Sequence, residues 1–388
     1  MSERDPFIAN AIARLKDAID AAAAPIFDGL PSASHELTMN EGLRHLLRHL
    51  AQISLNCMEL SDEYPQLMKV ISLQRQHALP NADTLYRKAK LNGNYSYTVT
   101  GTRGSARVFE FEIWHGVPGD LKRMKYFSHL DRFQTGPNGE VVIKLSREKQ
   151  EGNWLEIPEG ESALLTRDYF YDWDNEEASV LKIERDGATY PPPPLSRERV
   201  SELFDQSLNW LHSLPGMVRI GVEEHLAAEP NTMPVKEIEY GFNKNTFCRG
   251  HYVCEEDEAV IIELTPPETV FWTFMLSNFQ WEAMDFDVRQ TSLNGHQAKL
   301  DSDGVFRAVI SHRDPGVANW LDAGGHTVAP IAARYYNAAS KPIPMLKRVK
   351  FDELNDHLPA DTARVTPDER QVLLRRRRDS VIRRLFVD

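Results

Sequence analysis

Histidines, arginines and carboxylates stand among tryptophans between Phe271 and His326, and together those residue types could move protons. The stretch reads FWTFMLSNFQWEAMDF and, a few residues on, SLNGHQAKLDSDGVFRAVISHRDPGVANWLDAGGH. Trp272, Trp281 and Trp320 alternate there with Glu282, Asn294, His296, His312, Arg313, Asn319, Asp322 and His326. Aromatic walls carrying a few convergent polar groups suit a small-molecule pocket. Histidine titrates near neutrality and serves general acid–base work, while arginine stays charged and can hold a phenolate, carboxylate or enolate oxygen. The expected catalytic set is therefore His312, Arg313 and His326, with Trp281, Trp320 and Asn319 around the substrate. Tyr86 would add a fourth catalytic group, and Arg87, Arg167 and Tyr169 further substrate contacts, from an earlier sheet. A structural reading stands beside this one, because Asp314-Pro315-Gly316 and Gly324-Gly325 are turn chemistry that can simply shape a loop.

Metal and cofactor chemistry find less support. His296, His312 and His326 are spaced by sixteen and fourteen residues, which forms no ligand motif. His45 and His49 lie four apart but between leucines on an amphipathic pattern, so they read as packing residues. In LDSDGVFR the aspartates resemble the start of a calcium loop, yet Asp303-Gly304 followed by an alternating run is better explained as a hairpin turn. The sequence contains no GxGxxG, GxxxxGK[ST], HExxH or GxSxG, and no internal repeat is visible. Neither an organic cofactor nor a metal is expected. Cys57, Cys248 and Cys254 are an odd number without zinc-type spacing and read as reduced thiols.

The elements that must position these groups follow from periodicity. In a chain of 388 residues with 41% hydrophobic content there is enough apolar material for two lobes. Helical spacing runs through Ile8, Ile12, Leu15 and Ile19, then through Leu43, Leu46, Leu47, Leu50 and Ile53 behind a Thr38/Glu41 capping box. After Pro80 the pattern turns to strands: in ARVFEFEIWHG, Phe109, Phe111 and Ile113 oppose Glu110 and Glu112, which implies one wet face. Turns at Pro118-Gly119, Gly136 to Gly139 and Glu159-Gly160 punctuate this sheet. Pro191 to Pro194 form a stiff connector, and a helix should then run to Pro215 with a shorter one from Val222 to Ala228. A last helix is capped by Thr366, Pro367 and Glu369, its apolar line through Val372, Leu373, Ile382, Leu385 and Phe386 docking on the body or on a second subunit while its arginines face water or acidic surface.

The fold class expected is thus mainly β with α additions: two antiparallel β-sandwich-like lobes, an N-terminal helical segment, bracing helices in the middle and a C-terminal helix. The divisions are residues 1–79, 80–194, 195–229, 230–350 and 351–388. A formal charge of −12 disfavours nucleic acid and anionic lipid. With no apolar run long enough for a signal or spanning helix among the first thirty residues, a cytoplasmic protein is expected.

Several separate segments carry a likeness. PNADTLYR (80–87), RDYFYDWD (167–174), SLN (292–294), LDSDG (300–304) and above all SHRDPGVANWLDAGGH (311–326) resemble the family known as domain of unknown function 1214, often found beside a sister family of unknown function. The resemblance implies a mostly β architecture with helical additions and is nearly silent on chemistry. From the residues themselves, the expectation is a cofactor-independent lyase working by acid–base elimination or retro-aldol C–C cleavage on a hydrophobic aromatic or polycyclic small molecule. The alternative is a non-catalytic β-sandwich module that stacks a small molecule or carbohydrate on its tryptophans. A homo-oligomer built through the terminal helices is a third expectation.

Overall fold

A computed structural model describes residues 5–29, 35–58, 61–116, 124–236 and 245–385. The expected Pro118-Gly119 turn and Phe386 lie outside the described residues. Two sandwiches are built in the same way. In the first lobe β1 (Met68–Lys69), β2 (Thr84–Asn92), β8 (Glu161–Tyr169), β4 (Val108–His115) and β5 (Lys125–Leu130) form a five-stranded sheet in the order β1-β2-β8-β4-β5. It covers a four-stranded sheet of β7 (Trp154–Glu156), β6 (Glu140–Ser146), β3 (Tyr97–Thr102) and β9 (Val180–Arg185). Tyr97, Val99, Phe109, Phe111, Ile143 and Leu164 fill the space between them.

The second lobe repeats this topology strand for strand. Its five-stranded sheet runs β10 (Val235–Lys236), β11 (Asn245–Val253), β17 (Val328–Tyr336), β13 (Phe271–Leu276) and β14 (Ser292–Asn294). Its four-stranded sheet runs β16 (Trp320–Asp322), β15 (Phe306–Ser311), β12 (Glu258–Leu264) and β18 (Met345–Lys350). Even the one parallel pair recurs, β6 with β7 in the first lobe and β15 with β16 in the second. No repeat was expected from the sequence, because a sandwich demands only alternation and turns, which many different residues supply.

Among the described residues four α-helices stand beside the sheets: α1 (Pro6–Phe27), α2 (His35–Ile53), α3 (Arg197–Leu226) and α4 (Pro367–Leu385). One uninterrupted α3 replaces the two helices expected in the middle. Pro215 sits inside it, buried with Leu211, Leu214 and Val218, and that apolar contact outweighs the roughly 3 kcal/mol a proline costs a helix interior. The start of α4 is as expected, with Thr366 and Glu369 capping each other's backbone N–H. Thr38 and Glu41, by contrast, lie within α2 instead of capping it, since that helix already begins at His35.

Both α2 and α4 bury a polar stripe beside only part of their apolar patterns, Leu46, Leu50 and Ile53 of α2 and Leu385 of α4 being the leucines and isoleucine that pack inward. Leu43 and Leu47 of α2 are 56% and 61% exposed, while Glu41, His45, His49 and Gln52 are buried. In α4, Val372, Leu373 and Ile382 are exposed, while Arg370, Arg377 and Arg384, each seven residues apart, are buried. Arg370 meets the acidic Asp314, whereas Arg377 and Arg384 meet carbonyls and aromatic rings, which corrects for those two the expectation of water or acidic surface. Glu110 and Glu112 are likewise buried, not wet, because the outer faces of the two five-stranded sheets pack toward each other. No described helix is long and apolar enough to cross a membrane.

Candidate functional site

Thr38, Glu41, His45, His49 and Gln52 recur at three- and four-residue spacing, which places them on one face of α2. The helix then passes into a π-helical turn, Ser54–Met58, that buries Asn56 and Cys57. Burying five polar side chains on one stripe is costly unless each finds a partner. Two of them do. His45 Nδ1 lies 2.8 Å from Glu282 Oε1, and Arg48 Nη1 donates to Glu282 Oε2 at 2.7 Å. His326 Nε2 lies 3.2 Å from Glu41 Oε2. Burial would push the Glu282 carboxyl up, but the hydrogen bond from His45, with the Arg48 and Arg44 guanidinium groups behind it, holds it below the usual carboxylate range.

Other groups of the stripe lack one. Among the described residues, His45 Nε2 and both amide atoms of Gln52 are buried without a hydrogen-bond partner, as is Nδ1 of the neighbouring His77, while His49 lies against the backbone of Leu211 in α3. The His45 and His49 rings stack 6.0 Å apart, 6° from parallel. His77 meets Trp210 of α3 edge-on at 5.7 Å, and Lys88 Nζ of β2 sits 5.0 Å from the same indole. Burial, followed by the nearby His45, pulls His49 down to about 3; burial, followed by His49 and Lys88, does the same to His77. Both stay neutral at pH 7. A carboxylate on Nδ1 of His45 fixes the tautomer that leaves Nε2 as the basic nitrogen. The arrangement can therefore take a proton at His45 Nε2 and donate hydrogen bonds from neutral imidazoles.

A second polar cluster ties the lobes. Glu110 accepts from Arg167 Nη1 (2.8 Å), Tyr169 Oη (2.8 Å) and Tyr336 Oη (3.0 Å), and pairs with His129 Nε2 (3.1 Å). Arg167 also lies 2.7 Å from Glu112, and its guanidinium faces the Tyr86 ring. Against the effect of burial, the His129 hydrogen bond and the Arg167 charge keep Glu110 well below the usual carboxylate range. Glu110, Glu112 and His129 bring ligand atoms within 4.8 Å of one another, as a cation site would. The Arg167 guanidinium already stands between the two carboxylates, so the cluster supplies its own cation and reads as a cross-lobe tie.

The model of a family described as a protein of unknown function, DUF1214, matches residues 77–170 and 259–340, one stretch in each sandwich. The chain is similar to the DUF1214 family over these two stretches. Among solved structures it is similar to an uncharacterised protein from Burkholderia cenocepacia, at 25% identity over 89% of this chain and 98% of that one, with a TM-score of 0.83. It is also similar to a protein from Vibrio parahaemolyticus, at 11% identity over 86% and 100% of the two chains, but a TM-score of 0.45 supports no argument. No curated protein matches the sequence. The DUF1214 match includes His77, Lys88, Glu282 and His326, while His45, His49 and Gln52 are contributed by a helix outside it.

In this protein the residues expected to form one site are dispersed among separate partners. His312 Nε2 binds the Cys254 carbonyl at 2.9 Å, and Arg313 is exposed over the Phe351 ring near Asp352. His326 alone of the three joins the α2 stripe. Trp281 is buried, its Nε1 donating to His225 Nε2 at 3.3 Å, and Trp320 is buried with its Nε1 on the Ser311 carbonyl. Asn319 braces the strand ends, donating to the Lys299 and Arg307 carbonyls. Tyr86, Arg167 and Tyr169 do come together, but in the cross-lobe tie. Arg87 points to the other face of β2, where it meets Asp168 (2.6 Å) and Ser179. Asp301 and Asp303 are engaged by Arg307 at a turn closed by Gly304, as the hairpin reading expects. A cleft of about 700 Å³ beside α4, bordered by Trp173, His296 and Arg376, contains none of the α2 stripe.

Sequence reasoning missed Gln52, His77, Lys88, Glu110, Glu112 and His129 as site residues, and took His45 and His49 for packing. One signal was available: from Thr38 to Gln52 the polar residues keep a helical period as regular as that of the leucines.

Proposed function

We propose that this protein is an acid–base enzyme that needs no organic cofactor and acts on a hydrophobic small molecule, with His45 as the base and Glu282 orienting it. The reading rests on the carboxylate-paired His45, whose Nε2 is buried and unpartnered beside two imidazoles that stay neutral. His45 takes a hydroxyl or carbon-bound proton. His49 and His77, neutral and each with one ring N–H, donate to the oxygen on which negative charge develops. Elimination or retro-aldol cleavage of an aromatic or polycyclic hydroxy-carbonyl compound requires little else. Leu46, Leu50, Ile53 and Leu211 supply apolar surroundings on the α2 and α3 side.

The experiment is mass spectrometry of the purified protein incubated with lignin-type aromatics, steroids and glycosides, run in parallel on His45→Gln and Glu282→Gln. Conversion that falls about 10²- to 10⁴-fold in His45→Gln with circular dichroism unchanged supports the assignment. Equal conversion by wild type and His45→Gln removes it. A compound retained but never converted by wild type favours a binding module instead. Because Trp281 and Trp320 are both buried, neither offers that module the exposed stacking platform it would use.

A further inference from the structure

Tyr86, Lys88 and Lys90 alternate along β2 on the face turned away from the sandwich core, and both lysines are buried. Their surroundings differ. Lys90 Nζ lies 3.2 Å from Glu161 and donates to Gln206. Lys88 has neither an ion pair nor a hydrogen bond among the described residues; its strand partners are Leu165 and Met68, and its ammonium group has only the Trp210 ring to rest on. The titratable groups around it are Lys90 on its own strand, His77 in the preceding loop and Cys57 in the π-helical turn, none of them a carboxylate. A buried ammonium ion without a counter-charge relieves its desolvation by losing the proton. Burial first, with Lys90 adding like-charge repulsion, accordingly holds Lys88 below the ordinary lysine range, and burial pushes the Cys57 thiol up to about 11, which leaves it protonated.

We infer that Lys88 is an amine nucleophile that forms a Schiff base with an aldehyde or ketone substrate beside His45, His49 and His77. This rests on the reading of that cluster as an acid–base site and names its substrate class. The Nζ lone pair attacks the carbonyl carbon, a C–N bond forms and the π electrons move to oxygen; His45 carries the proton lost by nitrogen to that oxygen, giving a neutral carbinolamine. A proton from solvent, delivered through His45, lets the hydroxyl leave as water, giving an iminium ion. His45, neutral again, takes the proton of a β-hydroxyl, the C–C bond breaks, one carbonyl product leaves and the electron pair moves into the iminium to give an enamine. His45 returns that proton to the enamine carbon, and water adds to the resulting iminium, releasing the amine, the second carbonyl product and the proton taken from solvent. No oxidant or reductant enters. An amine that is partly unprotonated at pH 7, through burial and a like-charged neighbour, is the requirement for such a step.

The test uses the full chain with acetaldehyde, and separately benzaldehyde, in the presence of sodium cyanoborohydride at pH 7, followed by peptide mapping of every lysine. Each unit by which an amine's pKa falls raises its free-base fraction at pH 7 about tenfold. Lys88 should therefore be alkylated faster than the exposed Lys299. Lys90→Met, which removes the like charge, should slow labelling at Lys88 while leaving Lys299 unchanged, an effect a purely structural lysine would not show. Lys88 labelled no faster than Lys299 with either aldehyde overturns the inference. The two readings separate cleanly: turnover that depends on His45 without labelling of Lys88 removes the amine and leaves the base, and labelling of Lys88 with turnover unaffected in His45→Gln does the reverse.

Discussion

Mild acid should destabilise this protein through its buried histidines, and the size of the effect follows from the structure. His49 is held near 3 by burial and then by His45, His77 near 3 by burial and then by His49, and His225 near 3 through burial and then the charge of Arg249. His225 is fixed as a neutral ring, its Nδ1 beside the Gly250 carbonyl and its Nε2 accepting from Trp281. In the unfolded chain each takes up a proton as pH falls through about 6.5, whereas the folded state does not until about 3. The unfolded state thus binds more protons in that window, and stability is complete above 6.5 and falls as pH drops toward 3. The slope is about 1.4 kcal/mol per pH unit for each group. Between 6.5 and 5 each histidine contributes about 2 kcal/mol, and the three together about 6, comparable with the whole stability of many domains. The window lies above the ordinary carboxylate range, so the depressed Glu110 and Glu282 add little until lower pH. Urea unfolding followed by tryptophan fluorescence at pH 7 and pH 5 measures the loss. In His49→Gln the difference between the two pH values should shrink by about 2 kcal/mol. A difference equal to that of wild type would refute the reasoning, since His49 would then be protonated in the folded protein or hydrated enough to titrate normally.

Three further outcomes follow from packing. Arg377 of α4 donates to the Phe286 carbonyl and to the carbonyl and hydroxyl of Ser292, so Arg377→Met should cost about 3 kcal/mol in urea midpoint analysis. Arg384 is buried against Phe170 and Trp173 with none of its guanidinium nitrogens hydrogen-bonded among the described residues, so Arg384→Met should cost under about 1 kcal/mol or stabilise the fold. Gly221 of α3 faces the Trp281 indole, where an added Cβ would stand 2.3 Å from ring carbons; Gly221→Ala should cost about 1–3 kcal/mol and shift tryptophan emission, and an unshifted spectrum with full stability would show that the indole moves freely.

Strand alternation and turn chemistry were enough to read two β lobes, because every strand must present one face to a core of its own whatever lies outside it. The same logic gave the wrong face to Glu110 and Glu112. Alternation says which residues leave the sandwich core, but whether the other face meets water or a second sheet depends on Tyr336 arriving from a strand more than two hundred residues away. The helices failed in a related way. Leucines at helical spacing predict α2 and α4 as helices, yet polar groups with the same period line the buried side in each.

The sequence by itself determined the secondary structure of most of the chain, the two-lobe β class, the capped start of α4 and the DUF1214 likeness, since these depend on local periodicity and on contiguous motifs. Tertiary structure decided the duplicated strand order, the continuity of α3 through Pro215 and the identity of the candidate site. His45 on α2 acquires its meaning only from Glu282, and Lys88 on β2 only from Trp210 of α3 and the absence of a carboxylate. A side chain's protonation state and partners are set by what the fold brings within a few ångströms, and no spacing along the chain records that.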